Sequence, residues 1–291
     1  MIEQEATDRI DYSMASAIYH RVKAVSQSAL KSGLRSMAHM RHYLDHPSEP
    51  TDVMNLGTLV HSGVLEEKTV AYRYAVEPGS LIDGIDAKVP KATKAYKERY
   101  AEWAATVTGR EIVTQDQYDS MAGMVSSLLD NPIANALFGR GGGREAAMFW
   151  TCPDTGLRCK GLVDCMVDDK APTIADLKTT RDASSDEFVR SIVRYGYHIQ
   201  AWWYLRGRKI LTGNGDANFV VVAVENTPPY GTNVFEIGGK WLKIGAVDGM
   251  RVLREYAKCV ETGIWPSYPA QILEPEVPTW LSQRYPIAEE E

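Results

Sequence analysis

Apolar residues recur at helical spacing through the first half of the chain. This spacing predicts a helix over residues 26–44, which opens on a serine cap, and further helices over 55–68 and 91–107. Residues 114–138 have the same periodicity, but Pro132 interrupts it, because the residue before a proline disfavours helical backbone. The first half is therefore predicted to be mainly helical.

The pattern changes after the glycine-rich GRGGGR segment at residues 139–144. Three short apolar runs separated by turn residues follow, and they predict three strands of a meander: 145–152, 156–169 and 172–178. Beyond them the pattern predicts a helical stretch broken at Gly196, an apolar strand, a second strand and a closing helix: 184–211, 217–226, 230–237 and 239–263. This order of elements predicts an α/β sheet core with a helical N-terminal wing.

One domain accommodates these elements. Residues 1–140 are expected to form its helical wing, residues 141–265 its sheet core, and residues 266–291, rich in proline and acidic residues, a surface tail. The composition, with 44% hydrophobic and 24% charged residues among 291, is that of an ordinary globular protein. No apolar run approaches the length of a membrane span, and the N-terminus lacks the pattern of a secretion signal. We therefore expect a cytoplasmic protein that does not span a membrane.

Charge and cysteine content narrow the function only slightly. The net charge of −6 argues against a protein that coats nucleic acid with its whole surface, although a local basic groove remains compatible with it. None of the four cysteines forms a C-x-x-C pair typical of zinc or redox sites. Cys159 and Cys165 fall in a predicted buried strand, so we expect reduced core residues there.

Charged residues interrupt two of the predicted strands in VDCMVDDKAPTIADLKTT, residues 163–180. Asp164 and Asp176 are separated by one turn, so their side chains could converge in a hairpin. Two carboxylates and a strand-end carbonyl, that of Leu177, are hard oxygen ligands that suit Mg²⁺ or Mn²⁺. Lys178 follows Asp176 by two positions and therefore points to the same face of the strand, beside such an ion.

A simpler interpretation of these charges stays open. A D-x-K triplet is common, and a charged residue at the end of a strand is usually only solvated. Asp164 lies inside the flanking strand rather than at its end, and this favours the catalytic interpretation. Lys178 would then orient or help to deprotonate a water molecule, or neutralise a transition-state oxyanion.

The spacing Asp164…Asp176-Leu177-Lys178 resembles the D…(D/E)-x-K signature of the PD-(D/E)xK nuclease superfamily. The resemblance implies a restriction-endonuclease-like core, in which helices flank a central mixed sheet. It also implies Mg²⁺ as cofactor, with Mn²⁺ able to substitute, and a catalytic role for both aspartates and the lysine.

Further motifs resemble the RecB-like branch of that superfamily. Gln200 and Tyr204 match its Q-x-x-x-Y motif, Gly57 and His61 its G-x-x-x-H motif, and Glu145 an acidic residue before the first core strand. The resemblance implies that His61 and Glu145 join the metal ligands and that Gln200 and Tyr204 support catalysis. The residues themselves also allow purely structural interpretations. His61 could be an ordinary half-buried histidine, Glu145 a charge at a strand edge, Tyr204 a core residue, and Gln200 incidental.

The order of these motifs, with the opening SQSALK, is most similar to the RecE-type (exonuclease VIII) nuclease of phages and prophages, over residues 20–265. This resemblance implies an exonuclease that degrades linear double-stranded DNA from 5′ to 3′. It also implies a homo-oligomeric ring and a RecT-like single-strand annealing partner. A RecB-like endonuclease and a non-catalytic DNA-binding or assembly protein are the alternatives.

The cysteine positions do not fit the iron–sulfur type of CRISPR-associated RecB-like nuclease, which needs one N-terminal cysteine and three C-terminal ones. Four basic residues surround the main motif in the sequence, and some of them could hold phosphates: Arg158, Lys160, Arg181 and Arg194. The sequence does not sort these four residues into phosphate ligands and ordinary surface charges.

Overall fold

The computed structural model describes residues 7–46, 52–139, 142–167 and 170–285. Its strands, in chain order, are β1 (Arg9–Asp11), β2 (Tyr74–Val76), β3 (Glu111–Val113), β4 (Gly143–Thr151), β5 (Arg158–Val167), β6 (Thr173–Thr180), β7 (Asn218–Glu225) and β8 (Thr232–Glu236). Its α-helices are α1 (Ser16–Arg21), α2 (Gln27–Gly33), α3 (Met37–Asp45), α4 (Asp52–Leu65), α5 (Glu67–Arg73), α6 (Lys94–Thr106), α7 (Gln115–Asp130), α8 (Pro132–Gly139), α9 (Ser185–Tyr195), α10 (Tyr197–Thr212), α11 (Gly239–Thr262) and α12 (Thr279–Arg284).

A six-stranded mixed sheet in the order β1-β4-β5-β6-β7-β8 forms the centre of the fold. Strands β4, β5 and β6 are antiparallel neighbours, so the predicted meander is confirmed. Strand β7 pairs with β6 in parallel, and the two are connected through α9 and α10. Strand β8 closes the sheet antiparallel to β7. This mixed sheet with helices around it is the α/β architecture that the sequence predicts.

Both faces of the sheet are covered, which explains why its strands are nearly continuous apolar runs. On one face, α2, α10 and α11 pack over a cluster that includes Trp150 and Trp203, whose ring centroids lie 4.8 Å apart. On the other face, α4, α7 and α8 cover a second cluster that includes Leu59, Met124 and Leu177. The charged residues of β5 and β6 thus lie in the middle of the sheet, between two helical layers.

Some local features differ from the sequence prediction. Residues 26–44 form two helices rather than one, because Ser36 begins the second: its Oγ accepts a hydrogen bond from the backbone N–H of His39 at 3.2 Å. The chain also contains a parallel pair, β2 with β3, that the pattern did not indicate, since three-residue strands carry too little periodicity to detect.

The predicted break at Gly196 is confirmed. This residue has a φ of 63° and separates α9 from α10. Cys159 and Cys165 are buried free thiols, as expected. Among the described residues, none of the helices has the length and apolarity required to cross a membrane.

Candidate active site

The pairing of strands β5 and β6 ends at the centre of the site. Their pairing runs from Val167–Thr173 to Cys165–Ala175, and beyond it β5 continues with β4 while β6 continues with β7. The same register would place Asp164 opposite Asp176. Instead, Oδ2 of Asp164 accepts a hydrogen bond from the backbone N–H of Leu177 at 2.7 Å, so a carboxylate replaces the missing ladder bond.

The in–out alternation of β5 is interrupted at Asp164. Val163 packs in the cluster under α10, whereas Cys165, two residues on, packs in the cluster under α4 and α8. The register of β4 and β5 leaves Glu145 across from Asp164, and Glu145 has a φ of 48°, in the left-handed region. This shared distortion turns the Asp164 carboxylate out of the regular pleat and towards the gap between the strands.

Asp176 and Lys178 share one face of β6, as expected for positions i and i+2. Nζ of Lys178 lies 2.5 Å from Oδ2 of Asp176, and Nε2 of Gln200 on α10 donates to Oδ1 of Asp176 at 2.7 Å. Burial raises the pKa of the Asp176 carboxyl, although Lys178 opposes the rise. Burial would lower the pKa of Lys178, but the carboxylates of Asp176 and Asp164 outweigh it and raise that pKa.

His61 faces Asp164 from helix α4. Nδ1 of His61 lies 2.8 Å from the carbonyl oxygen of Gly57, and because a carbonyl can only accept, Nδ1 carries the proton. Nε2 lies 3.1 Å from Oδ2 of Asp164. Burial would lower the pKa of His61, but the Asp164 carboxylate outweighs it and raises that pKa. Two lone pairs cannot face each other at this distance without a cation between them, so Nε2 is either protonated or a metal ligand.

Gly57 acts through its backbone. A Cβ added at Gly57 would lie 3.6 Å from Oγ1 of Thr179, which is an ordinary contact. An alanine would therefore not clash with any atom that the structure describes near this position. The carbonyl of Gly57 instead fixes the tautomer and orientation of His61.

Glu145 lies at the margin of this group. Burial raises the pKa of Glu145, and the carboxylates of Glu66 and Asp164 raise it further. Glu145 is therefore close enough for the charges of Asp164 and His61 to affect its pKa. The expectation that Glu145 is a metal ligand stays a prediction.

Tyr204 packs behind the site rather than in it. Its side chain is buried, and its ring lies against Gly161, where an added Cβ would approach two ring carbons at 3.0 Å. Burial raises the pKa of Tyr204 well above its usual value, and the amide of Gln200 opposes part of that rise. Tyr204 therefore supports Gln200, which in turn holds Asp176.

Two residues near the site were not identified from the sequence. Nζ of Lys178 lies 5.5 Å from the ring centroid of Tyr197, the first residue of α10. Nζ of Lys31 on α2 lies 5.9 Å from the same centroid. The only sequence signal for Lys31 was its place in the SQSALK segment, which says nothing about its distance from β6.

The donor set fits a divalent cation. Oδ2 of Asp176 is buried and, among the described residues, is approached by the Lys178 ammonium alone, Nε2 of His61 points at Asp164, and all the acidic donors are hard oxygen ligands. Within the same described ranges, no three or more His, Cys, Asp and Glu side chains already surround one point, and Lys178 is the cation nearest to Asp176. Asp164, Asp176, the Leu177 carbonyl and His61 are the residues that would hold the ion.

A mixed sheet that carries an Asp…Asp-x-Lys constellation where two strands separate defines a nuclease-like fold of the PD-(D/E)xK class. The sequence matches the family described as "PDDEXK-like domain of unknown function (DUF3799)" over residues 26–273, and the chain belongs to this family. No curated protein sequence matches the chain.

Comparison with solved structures supports the fold. The crystal structure of a protein from Eubacterium rectale, described as "Putative exonuclease", superposes with a TM-score of 0.58 at 12% sequence identity and covers 94% of this chain and 98% of that one. A second solved structure, described as SSO0001, has a TM-score of 0.29 at 14% identity over 80% of this chain and 84% of that one. A score that low carries no argument, whereas the first shows a shared fold over nearly the whole chain.

Proposed function

We propose that the protein is a divalent-metal-dependent exodeoxyribonuclease that degrades linear double-stranded DNA from 5′ to 3′ and leaves 3′ single strands for recombination. One observation carries the proposal: where β5 and β6 separate, Asp164 accepts a hydrogen bond from the backbone N–H of Leu177, the residue after Asp176, and Lys178 contacts Asp176. Membership of a PDDEXK-like family and a fold shared with a protein described as "Putative exonuclease" support it.

The chemistry follows from charge. In-line attack of water on a phosphodiester places extra negative charge on the phosphate oxygens, and Mg²⁺ or Mn²⁺ held at this site would stabilise that charge and acidify the water. Asp164, Asp176 and the Leu177 carbonyl would supply oxygen ligands, and His61 a neutral ring nitrogen after loss of its Nε2 proton. Glu145 would complete the ligand set from the neighbouring strand.

The remaining side chains act on position and protons. The Lys178 ammonium would hold the attacking water in line and offset charge on the phosphate. Gln200 fixes one oxygen of Asp176 through its 2.7 Å hydrogen bond, so the other oxygen is the one presented to the ion. Tyr204, packed against Gly161 and one turn after Gln200 on α10, would limit the movement of Gln200.

The decisive experiment compares linear and covalently closed duplex DNA in Mg²⁺, with EDTA as the metal-free reference. We expect wild type to release mononucleotides from linear DNA, to remove a 5′ label before a 3′ label, and to spare the closed circle. Lys178→Ala should lose this activity. Lys170→Ala is the matched control, because Lys170 is exposed on the turn of the same β5–β6 hairpin.

Other outcomes of that experiment contradict the proposal in different ways. Cleavage of circular DNA as fast as linear DNA indicates a RecB-like endonuclease. No release of nucleotides by wild type, with DNA binding retained, indicates a non-catalytic DNA-binding or assembly protein.

We also propose the assembly that the RecE-type resemblance implies: a homo-oligomeric ring that threads duplex ends and passes 3′ strands to a RecT-like annealing protein. A ring would let a chain of net charge −6 present a basic lumen. Light scattering on the purified chain tests this, and a monomer at micromolar concentration that still degrades DNA overturns the ring.

A further inference from the structure

A surface cleft opens beside the candidate active site, between α2 and the junction of α9 with α10. Its volume is about 280 Å³. Eight residues line it, among them Lys31, Arg35, Arg194, Tyr195 and Gly196. Three of these eight residues are cationic and none is acidic, in a protein whose net charge is −6. The cleft is therefore a local reversal of the overall charge.

The three cations form no ion pair within the part of the chain that the structure describes. Across the described residues, no ion pair joins Lys31, Arg35 or Arg194 to a carboxylate, whereas Arg190, one turn before Arg194 on α9, pairs with Glu187 at 2.7 Å. Arg35 and Arg194 are exposed. A set of like charges around one concavity repels itself, and an anion placed there would relieve the repulsion.

Lys31 connects this cleft to the site chemistry. Its Nζ donates to the carbonyl oxygen of Tyr195 at 2.9 Å and lies 5.9 Å from the ring centroid of Tyr197, which Lys178 approaches to 5.5 Å. The two lysines therefore approach the same aromatic ring. Burial and the Lys178 ammonium lower the pKa of Lys31 to about 7, and a bound anion would favour its charged form.

The backbone is shaped for this approach. Gly196 has a φ of 63°, and an added Cβ would lie 2.8 Å from Cδ of Lys31. Glycine at this junction thus allows the lysine stem to cross the backbone closely and sets the direction in which its ammonium points.

We propose that this cleft, formed by Lys31, Arg35 and Arg194, binds a phosphate group of the DNA strand next to the phosphate that is cleaved. The inference rests on the proposed function for its ligand. A phosphate offers several acceptor oxygens to an ammonium and two guanidinium groups, and this matches the donors that converge here.

The experiment measures binding separately from cleavage. Affinity of a short labelled duplex is measured by fluorescence anisotropy in EDTA over a series of salt concentrations, for wild type, Lys31→Gln, Arg35→Gln and Arg194→Gln. Each lost phosphate contact should reduce the slope of log K against log salt by about 0.9 and weaken binding roughly fivefold near 0.15 M salt. Arg35→Lys and Arg194→Lys should retain most of the slope.

Arg190→Gln is the matched control, since it removes a paired arginine from the same helix as Arg194 and should leave the slope unchanged. Arg35 and Arg194 are exposed, so their variants test the cleft even where Lys31→Gln unfolds. Equal slopes for wild type and both arginine variants would overturn the proposal that the cleft binds a phosphate. Failure of wild type to bind DNA at all contradicts the proposed function instead.

Two duplexes separate the sources of the phosphate. A loss of slope on DNA with 5′-phosphate ends alone assigns the cleft to a terminal phosphate. An equal loss on DNA with 5′-hydroxyl ends assigns it to a phosphate within the strand. Both results support phosphate binding in the cleft, and they differ only in which phosphate of the DNA is bound.

Discussion

Two lysines on neighbouring strands of one sheet differ in burial and in partner: Lys178 is half-buried and Lys160 is buried. Lys178 on β6 contacts a carboxylate, and its pKa is raised. Lys160 on β5 is 8% exposed, and its Nζ donates to the carbonyl oxygens of Tyr19 and Val22 at 3.1 and 2.8 Å. Burial lowers the pKa of Lys160 to about 8. Both residues are lysines, so the opposite shifts of their pKa values come from their surroundings.

Lys160 has a structural role, because its ammonium donates to backbone carbonyls. Helix α1 ends at Arg21, and the Tyr19 carbonyl in its last turn accepts from the backbone N–H of Val22. The Lys160 ammonium adds a second donor to Tyr19 and a donor to the carbonyl of Val22, so it anchors the N-terminal segment to the sheet. The Lys160 ammonium is buried against neutral carbonyl oxygens, whereas the Lys178 ammonium lies half-buried beside the carboxylate of Asp176. Lys160 is therefore not a phosphate ligand, although sequence proximity had made it a candidate.

The sharpest way to break this comparison is to make the same substitution at both positions. Lys178→Met should reduce DNA cleavage per folded molecule by roughly 10²–10³-fold, because it removes the cation beside the reacting groups. Lys160→Met should leave cleavage per folded molecule within about threefold of wild type, yet cost about 1–3 kcal/mol of stability, because carbonyls lose their donor.

Urea unfolding followed by tryptophan fluorescence gives the folded fraction, and release of labelled nucleotides gives cleavage. Equal losses of cleavage in the two variants would show that the carboxylate partner of Lys178 does not give that lysine a role in cleavage that Lys160 lacks.

Helix α10 reaches both lysines and allows a second comparison. Gln200 donates to Asp176 beside Lys178, whereas Nε1 of Trp203 donates to the carbonyl oxygen of Lys160 at 2.9 Å. Gln200→Leu should raise the Mg²⁺ concentration for half-maximal cleavage by roughly 10- to 100-fold, since a residue that orients a metal ligand affects metal affinity.

Trp203→Phe is the control, because it removes a hydrogen bond from the same helix. It should lower stability and leave the Mg²⁺ midpoint unchanged. A midpoint that shifts equally in both variants assigns the effect of Gln200 to general loosening of α10.

The sequence predicted features that depend on local periodicity. Period-two placement of Asp176 and Lys178 agrees with their observed contact, and the apolar runs located β4 to β7 to within a few residues. The helical break at Gly196 followed from glycine alone. Such features need only a few neighbouring residues, so a single sequence contains them.

Features set by distant contacts were missed. The interrupted alternation at Asp164 depends on Glu145 across the ladder, and the approach of Lys31 to Tyr195 joins residues 164 positions apart. The structural task of Lys160 likewise depends on the end of α1. Each requires packing between elements, which periodicity within one element does not encode.

The last effect expected is the dependence of stability on pH that Lys160 confers. The pKa of Lys160 is about 8 in the folded chain, against 10.5 as the ordinary value, so between these pH values the unfolded chain binds more protons. Stability of wild type, relative to Lys160→Met, should therefore rise as pH increases from about 8 to 10.5 and stay flat below about 7. Urea unfolding of both proteins at each pH gives this difference directly, and titrating groups that Lys160 does not affect cancel in it; His20, whose pKa is lowered by burial and by Lys160, titrates below the pH range in which the rise is expected. A difference that falls with rising pH would mean that the carbonyls of α1 stabilise the ammonium by more than burial costs it. Lys160 would then behave like Lys178, and the contrast between carbonyl and carboxylate partners would fail.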